Sequence, residues 1–174
     1  MILFDLYDRA SAQLARQDWL LPTLARLVFA GVLAVYYLNS GFTKLDGFGA
    51  SSGAYVQILP RAFEAAGYDA SALAVWQHLI VYAGIVAEFV LPVLIILGLL
   101  TRLAALGMIG FIVMQSLTDL YGHGQWDALG GWFDRFADAL ILDQRAFWVF
   151  ALLTLVIKGA GPLSLDRLFR KGLS

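Results

Sequence analysis

The 174-residue chain contains no cysteine. That excludes disulfides, thiol redox chemistry, iron–sulfur clusters and thiolate metal sites. If the chain takes part in redox, electrons must pass through a bound cofactor or a partner. Histidine is scarce as well, with only His78 and His123. His123 lies in a Gly-His-Gly loop, a poor rigid axial ligand, which disfavours haem. A metal held by both histidines with Asp119 or Asp127 is the weaker reading. Interfacial hydrogen bonding is the simpler account of both, and no metal site is expected. Gly-rich phosphate loops, nucleophile elbows and zinc motifs are missing too. Charge is sparse: 14% of residues, against ~25% in soluble domains. The net charge of −1 points away from nucleic acid.

What the chain does have is apolar length. It is 60% hydrophobic, with a mean hydropathy of +0.75. From Trp76 to Leu100 the only charge is Glu88 and the only proline Pro92; after Thr101 and Arg102 the apolar run resumes. The first run exceeds the roughly 18 residues a spanning helix needs and the second continues for more than a dozen, so a transmembrane hairpin with Gly98 to Arg102 as its turn is expected. A further span is expected at about 20–41, with Tyr36, Tyr37 and Asn39 at its far end. A fourth, about 146–160, is short for a bilayer; it must start earlier, sit in a thinned region or be shielded by partners. The fold class is therefore all-α: an integral membrane four-helix bundle forming one domain, with spans at about 20–41, 76–100, 101–119 and 146–160.

Residues 1–18 are interrupted by acids and do not read as a signal peptide. Leu3, Leu6, Tyr7, Ala10 and Leu14 share one helical face opposite Asp5, Asp8, Arg9, Gln13 and Arg16. This predicts an N-terminal amphipathic helix on the membrane surface, with Trp19 as anchor, or packed on another protein. The segment at about 45–73 is expected to be external, with Val56, Leu59 and Phe63 facing lipid on a short helix broken at Pro60, and Asp69 and Ser71 capping the next span. A second external segment, 121–145, carries Trp132, Phe133, Phe136 and Leu140 opposite Asp134, Arg135 and Asp138, again an interfacial face. Gly107 and Gly110 are expected to allow close helix approach, and Gln115 and Asp119 to form a polar stripe.

Glu88 lies about twelve residues from either end of its run, some 18 Å deep at ~1.5 Å per residue. An intramembrane carboxyl is a functional-site hypothesis by default. Pro92 reinforces it, because its ring clashes with the carbonyl four residues earlier, that of Glu88. Packing glue to a neighbouring helix, a ligand or proton site, and a structural ion pair are the three readings. Arg26 is shallow enough to snorkel, and helical side chains lean toward their own N-terminus. Arg26 and Glu88 therefore lean apart, and a bidentate pair between them is not expected. With an internal N-terminus, Arg9, Arg16, Arg26, Arg102, Lys158, Arg167, Arg170 and Lys171 fall inside, against Lys44, Arg61, Arg135 and Arg145 outside. That bias favours both termini in the cytoplasm.

An arginine early in the first span, GFTKL at its exit, Glu88 mid-span, LGLLTRLAAL at the hairpin turn and GPLSLDRLF near the C-terminus together resemble the DoxX family. The resemblance covers most of residues 23–168. It implies a multi-pass bacterial inner-membrane protein, an accessory subunit in quinone-linked oxidoreductase or stress-related systems. It points to Arg26, Lys44, Glu88 and Arg102 as the site that holds a quinone or similar apolar ligand. His78, Asp119 and His123 form the second-choice site at the outer face. Whatever enzyme activity is involved would be that of the quinone-linked oxidoreductase of which the chain is a subunit. The alternative is a non-catalytic scaffold that docks a partner protein, or a homo-oligomer, through the amphipathic segments in a stress- or metal-response system. A proton or small-solute pathway through Glu88 is weaker, since four helices leave little room for a lined pore.

Overall fold

The computed structural model describes residues 2–171 and is mostly helical. Helix α1 covers Ile2–Ala15 and buries none of its residues. Helix α2, Leu20–Thr43, includes a π-helical turn over Ala30–Ala34. After a two-residue hairpin of strands β1 (Leu45–Asp46) and β2 (Gly49–Ala50) come the short helices α3 (Ser52–Ile58) and α4 (Pro60–Ala65). Helix α5 is Val75–Leu97 and α6 is Thr101–Gly122, the latter ending in a π turn. Helix α7 covers Gln144–Lys158 and α8 covers Leu165–Lys171.

Helices α2, α5 and α6, with 24, 23 and 22 residues, are long and apolar enough to cross a membrane. The expected hairpin is present. Helix α5 ends at Leu97 rather than Leu100, and α6 runs past Asp119 to Gly122. Between them Gly98 (φ 68°) and Leu100 (φ 48°) take left-handed conformations that reverse the chain. Helix α5 stays continuous through Pro92. The last long helix starts at Gln144, two residues before the expected 146, and its 15 residues reach only about 22 Å.

Both α2 and α6 pack against both α5 and α7. Phe29, Leu33, Tyr37, Ile95, Met108, Ile112, Leu152 and Leu155 fill the space between them. A second core, around Tyr55, Phe63, Val81 and Ile85, joins α3 and α4 to α5. Phe63 is thus buried in protein rather than facing lipid, because Pro60 starts a new helix that turns it onto Tyr55, while Val56 stays exposed. Asp69 caps a single turn, accepting from the Ser71 N–H and hydroxyl, and Ala74 precedes α5. The expected cap therefore serves the turn before the span. The periodic stretch 132–140 is not a helix: Gly130 and Gly131 precede it and Phe133 adopts φ 69°, so its residues lie in turns, exposed through Asp138.

Candidate functional site

Two groups of charge, one half-buried and one largely buried, lie toward opposite ends of the helices. At one end, Arg26 in the second turn of α2 is bound to four carbonyls. Its Nε donates to Ile95 O at 2.9 Å and its Nη1 to Ala160 O at 3.0 Å, and further N–H groups reach Leu163 O and Ile96 O. Ile95 and Ile96 are in the last turn of α5, where the helix dipole is negative and carbonyls lack the i+4 partner of a continuing helix; the Ile95 carbonyl also accepts from the Gly98 N–H at 3.1 Å. Arg26 therefore clamps the end of α5 to the segment after α7. Gly98 makes room for it: a Cβ there would come within 2.9 Å of Arg26 Cζ and 2.6 Å of Ser164 Cβ. Asp166 closes the same end, accepting from the Leu100 N–H at 2.7 Å and the Thr101 N–H at 3.0 Å. Burial pushes the Asp166 carboxyl up, but the N–H groups of Thr101 and Leu100 outweigh it and hold the pKa below the ordinary carboxylate value.

At the other end, Lys44 follows the last turn of α2. Its Nζ donates to Glu88 Oε1 at 2.9 Å, and both residues are only 4% exposed. Ser40 completes the cluster: its hydroxyl accepts from Lys44 Nζ at 2.7 Å and donates to Glu88 Oε1 at 2.9 Å. Glu88 Oε2 is buried without a partner. A second pair lies between α6 and α7. Arg145 Nη2 donates to Asp119 Oδ2 at 2.6 Å and Nη1 to Ser116 Oγ at 2.8 Å, while Nε is buried and unpartnered. Gln115 donates to the Tyr36 hydroxyl at 2.9 Å.

A cavity of about 760 Å³ adjoins both pairs. Lys44, Glu88, Asp119 and Arg145 reach it, as do Ser40, Tyr36 and Gln115, and most of its remaining wall is apolar, including Leu91, Ile80, Phe111 and Met114. Gly110 lines it with nothing within 4 Å of where a Cβ would stand, whereas a Cβ on Gly107 would touch Leu91 at 3.1 Å. Gly107 thus sits close against Leu91 of α5, and Gly110 contributes open space.

The four residues indicated by the resemblance are separated into two sets. Lys44 and Glu88 meet; Arg26 is fixed at the far end, and Arg102 lies beside it against Gly159. Of the second-choice group, Asp119 and His123 line the cavity, His123 Nε2 being 3.1 Å from Gln57 O. His78 is engaged elsewhere, with Nδ1 2.7 Å from the Tyr55 hydroxyl. Among the described residues no three His, Asp or Glu side chains gather as a metal site. Ser40 and Arg145 were not singled out from the sequence. Ser40 has no charge to mark it, and Arg145 reads as one more external cation until α7 is seen to carry it against Asp119.

The DoxX family model matches residues 21–120, more than half of the chain. The chain belongs to the DoxX family. No curated protein and no solved structure matches it. The match takes in Arg26, Ser40, Lys44, Glu88, Arg102 and Asp119, and ends before Arg145. Family membership and the three apolar helices make this a membrane protein.

Proposed function

We propose that the chain is an accessory membrane subunit of an oxidoreductase system and holds a quinone or similar apolar ligand in the cavity beside Lys44 and Glu88. The observation that carries this reading is an apolar cavity of about 760 Å³ bordered by two ion pairs, one buried and one with its aspartate partly exposed, each with one unsatisfied buried polar atom. Ligand sites of roughly 300–1,000 Å³ with apolar walls and a few placed polar groups are the usual form for small molecules. A quinone head presents two carbonyl acceptors, and Arg145, which lines the cavity, carries an unpartnered Nε–H that can donate to one; the three N–H groups of Lys44 are taken up by the Ser40 carbonyl, the Ser40 hydroxyl and Glu88. Electrons reach the ligand through a partner subunit or a bound cofactor, since this chain has no cysteine for thiol or iron–sulfur chemistry. Glu88, with one oxygen unpartnered, is the group here that can hold or release a proton as the bound head changes redox state.

The protein is purified in mild detergent and its bound lipids extracted and identified by mass spectrometry. Wild type is expected to retain quinone. Glu88→Gln, nearly the same shape, is expected to remain folded and to lose most of it. Absence of quinone from wild type, or equal retention by Glu88→Gln, rejects the reading.

In the same proposal α2, α5, α6 and α7 are four spans of a bacterial inner-membrane protein, with both termini cytoplasmic, as the excess of basic residues at one end supports. The cysteine-free sequence makes a clean test possible. Ser52→Cys and Ala128→Cys should react with an impermeant maleimide added to intact cells, and Ser174→Cys should not. Labelling of the last from outside would invert the orientation.

Exposed apolar side chains favour a second reading, a scaffold. Leu3, Leu6, Tyr7 and Leu14 on α1, and Trp132, Phe133 and Phe136, are largely exposed among the described residues. These suit a membrane surface or a docked partner. Charge reversals at residues 5–16 or 132–140 would release a partner under this reading, with Glu88→Gln silent.

A further inference from the structure

At the Arg26 end a second hollow, of about 400 Å³, opens between the hairpin turn, the end of α7 and helix α8. Four cations reach it, Arg102, Lys158, Arg167 and Arg170, against one acid, Asp166. Asp166 is already engaged by two backbone N–H groups, and Lys158 by Asp18 at 3.1 Å. Among the described residues no carboxylate lies in salt-bridge range of Arg102, Arg167 or Arg170. Three guanidiniums from two separate parts of the chain thus line one hollow, and Arg102 Nε is held close to Gly159, 3.4 Å from where a Cβ would stand. Fork-shaped donors of this kind match phosphate oxygens. The rim is apolar: Leu100 and Leu103 line the hollow and are largely exposed.

We infer that this hollow is a site for a phosphate-bearing anion, and that its occupant is the headgroup of an acidic phospholipid. The guanidiniums take the phosphate, and Leu100 and Leu103 lie where acyl chains would run. That apolar rim is what favours a lipid over free phosphate. Basic pockets between spanning helices are the usual form of acidic-lipid sites, each Lys or Arg contributing about 1 kcal/mol of attraction near the surface. The site stands apart from the cavity beside Glu88, and the inference does not depend on the quinone reading.

The test is native mass spectrometry of the full chain in detergent, titrated separately with phosphatidylglycerol, phosphatidylcholine and inorganic phosphate. Wild type should retain phosphatidylglycerol at least ~tenfold more tightly than phosphatidylcholine. The variant Arg102→Gln/Arg167→Gln/Arg170→Gln should lose that preference, while Arg61→Gln/Arg135→Gln, bearing the same kind of change elsewhere, should keep it. If the triple variant does not fold, Arg170→Gln alone, on an exposed side chain, should weaken phosphatidylglycerol roughly threefold. Undiminished phosphatidylglycerol binding in whichever of these variants folds, or equal binding of both lipids by wild type, overturns the site. Inorganic phosphate at millimolar level displacing the lipid completely would assign the hollow to a free anion and overturn the lipid occupant.

Discussion

Arg26, half-buried, and Glu88, buried, are charged groups within apolar helices, and the contrast between them lies in how fully each is satisfied. Arg26 faces helix ends and segment carbonyls, with four acceptors around one guanidinium. Its geometry is saturated, and such a charge reads as structural. Glu88 has one oxygen shared by Lys44 and Ser40 and the other bare, and it borders a cavity. An unmet acceptor beside empty apolar volume is the condition under which a ligand gains from binding. Asp119 and Arg145 repeat this pattern, with the Arg145 Nε left over. Burial of charge alone therefore does not mark a site in this protein. Under the proposed function, incomplete satisfaction next to space does.

The contrast is tested most severely at Lys44. Lys44→Met leaves the Glu88 carboxylate buried with the Ser40 hydroxyl as its only partner, and breaking such a pair costs about 3–5 kcal/mol. Lys44→Met/Glu88→Leu removes both charges, and a well-packed apolar replacement for a buried pair is commonly neutral or stabilising. Thermal unfolding in detergent should therefore show the single variant severely weakened and the double variant recovered close to wild type. The recovered double variant should still fail to retain quinone. A double variant as unstable as the single one would show that the two residues are not energetically coupled, and the pair would lose its standing as a unit.

The sequence pattern made much of this visible. Apolar run lengths located α2, α5 and α6, and the Gly98–Arg102 break located the hairpin. Glu88 is legible from its depth in an apolar run and Lys44 only through the family resemblance, and their meeting is legible from neither. Forty-four positions separate them, and the π turn at Ala30–Ala34 adds a residue to α2. One extra residue rotates every later side chain by roughly 100° relative to an uninterrupted helix, and nothing in AGVLA announces that. Arg26 was visible as a polar residue in a span, but its partners are backbone carbonyls, which no residue pattern records. The face drawn through Trp132, Phe133, Phe136 and Leu140 shows the opposite error. Helical spacing was present there, while Gly130, Gly131 and the left-handed Phe133 break the regular backbone on which that spacing would matter.

A gentler substitution tests the saturated side of the contrast. Arg26→Lys keeps the positive charge but replaces a five-donor planar fork with a single ammonium. An ammonium has at most three N–H groups and cannot span from Ile95 and Ile96 at the end of α5 to Ala160 and Leu163 beyond α7. At least one charge-assisted hydrogen bond is then lost, at a cost of about 1.5–3 kcal/mol. The melting temperature in detergent should fall by less than for Lys44→Met. Quinone retention at the distant cavity should be unchanged, because no cavity-lining group moves with Arg26. If Arg26→Lys instead melted like wild type and lost its quinone, Arg26 would belong to the ligand site with Lys44 and Glu88, and saturation by carbonyls would no longer distinguish the structural charge from the functional one.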